Sequence, residues 1–166
     1  MKARLTLLAL PFLLLASCGG SNPKALTDEG SSALGSGQYE VAAKKFEGAL
    51  AAMGSDSSSP DWLRAKIGLC QAHARTDGGK AKDEFLELAK AHPDKVTDKH
   101  FSLMGRELDE ARHSADAIAV LTAGMTAHPT SAELQGLRTA LGKKAEQSGD
   151  SETLESLKGL GYVGGK

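Results

Sequence analysis

Two thiols and five imidazoles are the groups in this sequence with chemistry beyond solvation: Cys18 and Cys70, and His73, His92, His100, His113 and His128. A thiol can accept an alkyl group, pair in a disulfide or hold a metal, and an imidazole can carry a proton or ligate. The histidines share no interval of the metal-ligand kind. No Cys-x-x-Cys pair, His-Glu-x-x-His helix, Walker loop or Gly-x-Ser-x-Gly elbow occurs either. The expectation is therefore no catalytic residue, no metal and no cofactor. His92 and His128 each precede a proline, Pro93 and Pro129, where a partial positive charge suits the carbonyl end of a helix dipole. Cys70 lies in an apolar helical stretch and reads as a buried, inert thiol, with nothing nearby to support a redox or intermolecular role. Cys18 is different. It closes Leu15-Ala16-Ser17-Cys18 after an apolar run, residues 5–15, that contains Thr6 and Pro11 and follows Lys2 and Arg4. Small residues ahead of a thiol let an extended backbone enter a peptidase and leave the sulfur as an acceptor.

A short basic segment followed by a short apolar one is the layout of a secretory signal. The apolar run is too short to cross a bilayer, which takes ~20 residues. The Leu15–Cys18 stretch resembles the lipobox of bacterial lipoproteins, with Ser17 where Gly or Ala is more frequent. The resemblance implies a diacylglyceryl group on the Cys18 sulfur, cleavage between Ser17 and Cys18, and membrane attachment by two or three acyl chains. In an ordinary signal peptide Cys18 would have no such role. Residue 19 is Gly rather than the Asp that retains enteric lipoproteins at the inner membrane, so the resemblance implies the outer membrane, facing the periplasm.

Without its first 17 residues the 166-residue chain keeps 149, enough for one domain with a real core. That part carries 18 basic against 21 acidic residues, a balance with no electrostatic footprint for nucleic acid. With Cys18 acylated, Cys70 has no partner in the chain, and no disulfide framework is expected despite export. Aromatic residues make up only 4%, and the strong helix formers Ala, Leu, Lys and Glu dominate, so helices must make the fold.

Small and large residues recur along the chain. A first set is Gly30, Ala33, Gly37, Tyr39, Ala42, Phe46, Ala49 and Leu50. A second runs from Trp62 through Gly68 to Ala81, Phe85, Leu88 and Pro93. A third has Phe101, Met104, Gly105, Leu108, Ala117, Leu121, Gly124 and Pro129. The matching alanines, Ala42, Ala81 and Ala117, are 39 and 36 apart. The pattern resembles the tetratricopeptide repeat, whose period is about 34 residues. Leu26 stands where that family has an early aromatic. The turn at 75–80 reads about one residue longer than the family's, and the 54–59 loop and 93–99 connection absorb the excess length. Small residues permit close helix crossing, large ones fill the space between hairpins, and Pro93 and Pro129 end the second helices. Leu134, Leu137 and Leu141 form one stripe of a further helix over 131–147 that caps the last repeat.

The expected architecture is all-α: a solenoid of about three helical hairpins resembling tetratricopeptide repeats, plus a C-terminal capping helix. The alternative is a generic helical bundle. The expected layout is a signal at 1–17, a lipidated tether at 18–24, the repeat domain at 25–148 and a tail at 149–166, with 151–160 a short eighth helix. Extended from Cys18 to Leu26 the chain reaches at most about 28 Å, which keeps the folded part near the membrane.

In the tetratricopeptide family the first helices line a concave groove for peptides or protein segments. The resemblance places Lys24, Thr27 and Ser31 there from the first repeat, Trp62, Ala65, Leu69 and His73 from the second, and Lys99, Ser102, Arg106 and Asp109 from the third. Trp62, the only tryptophan, reads equally as a hot spot and as core. The Lys/Asn set that clamps a terminal carboxylate in chaperone-type repeats is absent. The stretch 157–165 resembles a tail of some secreted bacterial sulfatases and repeat proteins. The sulfatase Cys-x-Pro-x-Arg motif is missing, since Gln71 and Ala72 follow Cys70. Two readings remain for the tail: its leucines dock on the capping helix, or a partner recognises it. The expected function is a non-catalytic interaction scaffold or assembly factor with a protein or peptide partner in the cell envelope. It would touch the membrane through its lipid and bind neither nucleic acid nor metal. The alternative is an accessory subunit of an envelope enzyme or of a pilus or secretion assembly system, with Arg106, Asp109 and Glu110 as the nearest reactive candidates.

Overall fold

The structure is a computed structural model and describes residues 22–164. Cys18 and the segment before it lie outside the described residues. The fold is all-α, with eight helices and no strand among the described residues: α1 Pro23–Gly35, α2 Tyr39–Met53, α3 Pro60–Ala74, α4 Gly78–Ala91, α5 Asp98–Glu110, α6 Ser114–Ala127, α7 Ala132–Ser148 and α8 Ser151–Gly159.

The helix starts follow from short polar side chains that accept orphan amides. Asn22 accepts from the Lys24 amide at 3.0 Å, Ser59 from Asp61 at 3.2 Å and Asp77 from Lys80 at 3.0 Å. Ser131 accepts from Leu134 at 3.3 Å and Asp150 from Thr153 at 3.0 Å. Pro23 and Pro60 occupy first turns, where a missing N–H costs nothing. With Asn22 as the cap, Pro23 and Lys24 belong to α1 rather than to a tether.

The three hairpin turns, 36–38, 75–77 and 111–113, have the same length. The expected longer turn at 75–80 is corrected: Gly78, Gly79 and Lys80 form the first turn of α4. These glycines looked like turn residues, but Gly78 serves close approach. A Cβ there would overlap the His113 ring.

Consecutive helices pack as antiparallel hairpins in two layers. The first helices α1, α3, α5 and α7 lie side by side, and α4, α6 and α8 form a second row. α2 does not reach that row; it packs on α1 and α3 alone. Between hairpins the core is keyed by glycine. Gly30, Gly68, Gly105 and Gly142 recur 38, 37 and 37 residues apart, one on each first helix. Each lies under a large side chain. A Cβ on Gly30 would sit 2.8 Å from Phe46 Cδ1, one on Gly68 would overlap the same ring, and one on Gly105 would lie 2.7 Å from Leu137 Cδ2. Gly142 lies under the ring of Tyr162. Ala42, Ala81 and Ala117, the small residues of the second helices, are fully buried.

The C-terminal segment is therefore structural. α8 packs on α6 and α7, Leu157 is fully buried, and Arg138 Nη1 donates to the Leu160 carbonyl at 2.6 Å. With Tyr162 over Gly142, α7 and α8 make a fourth, shortened hairpin, and the docking reading of the tail describes its leucine. Val163, by contrast, is 88% exposed.

Candidate functional site

The inner row of helices carries a trough. Its deeper part, about 380 Å³, is lined by Ser31 and Leu34 of α1, by Leu63, Arg64, Ile67 and Gln71 of α3, and by His100 and Leu103 of α5. A second hollow of about 270 Å³ continues from Leu103 over Lys99, Ser102 and Arg106 to Glu133 of α7. Leu103 lines both, so the two form one surface across four helices.

Polar side chains tie neighbouring first helices along this row. Asp28 of α1 takes Arg64 of α3 at 2.5 Å as well as Lys24 at 2.9 Å. Those two cations hold the Asp28 carboxyl below its ordinary value. Gln71 donates to Glu107 at 3.2 Å, and Arg75 reaches Glu107 at 2.6 Å and Glu110 at 2.7 Å, joining α3 to α5. Ser102 and Arg106 both donate to Glu133, at 2.9 and 2.7 Å, and Lys144 pairs with Asp109 at 2.8 Å, joining α5 to α7. Exposed pairs of this kind contribute about 0–1 kcal/mol each, so they fix register more than they stabilise. Arg106, Asp109 and Glu110, the candidates for reactive chemistry, are all engaged in these pairs.

The residues assigned to the groove from sequence divide by helix. Ser31, Lys99, Ser102 and Arg106 line the trough. Lys24 is exposed on the first turn of α1 and paired with Asp28. Thr27 is fully buried, its hydroxyl donating to the Pro23 carbonyl at 2.9 Å. Asp109 lies outside the trough, in a separate hollow shared with α6, α7 and α8, tied to Lys144. None of the four from α3 reaches it. Ala65 is fully buried against the first hairpin. His73 is 7% exposed, with Nδ1 2.6 Å from Glu84 and Nε2 3.0 Å from Lys80. Lys80, a donor only, makes Nε2 the acceptor, so the proton lies on Nδ1 and points at Glu84.

Trp62 and Leu69 line a separate cleft of about 370 Å³ between α3 and α4, with Lys66, Glu84 and His92. Trp62 is 7% exposed, edge-on to His92 at 4.9 Å, with the Lys66 and Lys95 ammonium groups 5.7 and 5.8 Å from its ring centre. Its role is core. At 100° per residue, Trp62, Lys66, Leu69 and Cys70 fall on the face of α3 opposite Leu63, Arg64, Ile67 and Gln71. Carrying positions across by the glycine interval gave the trough face in α5 but not in α3. Gly68 is keyed by Phe46 from the preceding hairpin, whereas Gly105 is keyed by Leu137 from the following helix, and the face turned to the trough differs accordingly.

Eight of the trough residues named above, Leu34, Leu63, Arg64, Ile67, Gln71, His100, Leu103 and Glu133, were missed. Nine of the fifteen residues of α3 are buried. The signal for its open face was Arg64 and Gln71, seven apart and so on one stripe.

His100 also caps its helix. The Thr97 amide donates to His100 Nδ1 at 3.1 Å, which places the imidazole proton on Nε2, at the trough wall. Partial burial holds its pKa below the ordinary 6.5, against the opposing pull of Asp98. The unfolded chain therefore binds this proton first as pH falls. The contribution of neutral His100 is present above about pH 6.5 and is lost as pH falls through the lower folded value. An NMR titration should find His100 half-protonated below pH 6.5; a midpoint at or above that value would contradict the cap. Cys70 offers no chemistry in comparison. It is 2% exposed, and burial pushes its thiol up to about 12. Among the described residues no cluster of three or more metal-ligating side chains occurs, and no helix is long and apolar enough to cross a membrane.

Comparison with protein-family models, with curated proteins and with solved structures finds no match.

Proposed function

We propose that this chain is a non-catalytic scaffold, resembling tetratricopeptide-repeat lipoproteins, that seats a segment of another cell-envelope protein in the trough along α1, α3, α5 and α7. The observation that carries this reading is that the two hollows meet at Leu103, over a floor that is apolar in the larger one. The pairing of Arg106, Asp109 and Glu110 supports a structural use of those charges. The Leu15–Cys18 stretch supports a lipid on Cys18, and Gly19 supports the outer membrane, facing the periplasm. Helix α1 is capped by Asn22, so three residues separate cap and thiol, four steps with a reach of about 14 Å. The partner is then met close to the membrane.

The test is photocrosslinking in intact cells from position 106, with position 87 on exposed α4 as the control, followed by mass spectrometry. The expected result is one dominant envelope protein at 106 and not at 87. Identical adducts at both positions would remove the trough from the account. In parallel, Cys18→Ser should release the protein from the membrane fraction; an unchanged distribution would remove the lipid.

A further inference from the structure

We infer that the segment bound in the trough is an acidic and apolar stretch of polypeptide, carrying one large aliphatic or aromatic side chain with a carboxylate one or two residues away. The inference rests on the trough being the binding surface, as proposed above. Its basis is which groups of the trough are already engaged. Glu133 accepts from Ser102 and Arg106, Asp28 from Lys24 and Arg64, and Glu107 from Gln71 and Arg75. The carboxylates on and beside this surface are thus satisfied within the protein. Two donors are not. Lys99 Nζ has no ion pair or hydrogen bond among the described residues, and the Nε2–H of His100 has none either.

The charge follows the same direction. The lining carries Arg64, Lys99 and Arg106 against Glu133 alone, on a chain whose net charge is −1. A basic segment would meet an unpaired Lys99 and no uncommitted carboxylate, so repulsion would oppose it. An acidic one finds Lys99 on one hollow and the His100 donor on the other, on either side of Leu103. The floor is apolar: Leu34, Leu63, Ile67 and Leu103 surround the hollow. Leu103 lies about one helical turn, ~5.4 Å, beyond Lys99 and His100. An extended chain advances ~3.3 Å per residue, so a side chain on this floor leaves its neighbour one or two positions away beside one donor or the other.

The experiment is selection of random seven-residue displayed peptides on the purified full-length chain. Selected peptides are then measured by fluorescence anisotropy against the parent, Lys99→Glu and Leu103→Arg, each checked for helicity by circular dichroism. The expected result is enrichment of an apolar residue next to Asp or Glu. Lys99→Glu should weaken binding about five-fold, the equivalent of ~1 kcal/mol for an exposed pair. Leu103→Arg should abolish it. Peptides that lose binding in Leu103→Arg but show no acidic preference and ignore Lys99→Glu would overturn the acidic inference and leave the trough standing. Binding unaffected by either variant, or no enrichment, would overturn both. Lys99 is exposed, so its variant tests the charge even if Leu103→Arg fails to fold.

Discussion

Phe46→Ala is expected to cost about 3–5 kcal/mol of stability, the upper range for removing a buried aromatic ring. Phe46 is 1% exposed and touches the backbone faces of two helices at once, over Gly30 and over Gly68. The buried part of its cluster is otherwise mostly alanine, Ala33, Ala42, Ala49, Ala65 and Ala72, with Leu69, while Leu26, Leu34, Leu50 and Met53 pack on it from the half-exposed side. The alanines and the two glycine backbones cannot fold inward to fill the space that a phenyl ring vacates, so much of the cavity term persists. Because α2 packs only on α1 and α3, the loss should be local before it is global. Hydrogen exchange is expected to accelerate over α1 and α2 while α5–α8 keep their protection. A single cooperative transition displaced by less than about 1.5 kcal/mol would mean that the first hairpin is not keyed by this ring.

Gly142→Val should act at the other end. Its side chain would occupy the space of the Tyr162 ring, and the ring would have to leave with its neighbours. That departure also breaks the bond from Arg138 to the Leu160 carbonyl and frees Leu157 from the core. Overpacking of a filled site costs about 1–3 kcal/mol, and in a repeat array the damage stays with the terminal unit. Amides of α8 are expected to lose protection, while the first three hairpins keep theirs. Full protection of α8 in the variant would show that Tyr162 is dispensable for docking. Tyr162→Ala, which adds no bulk, should reproduce the loss if the ring is what holds the helix.

The hairpins were legible because packing left a chemical trace. Gly30, Gly68 and Gly105 mark close crossings, Ala42, Ala81 and Ala117 mark the opposing helices, and Pro93 and Pro129 stop the second helices. Three features were not legible, each for its own reason. Gly78 and Gly79 carry a turn composition but start a helix, because His113 needs the space a side chain would fill. The open face of α3 was marked only by Arg64 and Gln71, on a helix mostly buried against α1 and α2 on one side and α4 on another. Tyr162 lies among glycines in a stretch with the composition of a loose end. Only the recurrence of glycine at 142 one interval after 105 announces that a ring must cover it.

The seating of α2 bears on how the protein responds to a pull. The helices of the first hairpin touch the remainder through α3 alone, whereas α4, α6 and α8 brace one another in a row. Beyond that, one loop tie joins Lys95 Nζ to the Ser57 carbonyl at 2.5 Å. Tension entering at the amino end would converge on the packing of α1 and α2 against α3, keyed by one phenyl ring. The first hairpin would then yield as a unit, lengthening the chain and removing the α1 wall of the trough while α3–α8 stay folded. Two helices at one end would serve as a mechanical fuse for the six that follow.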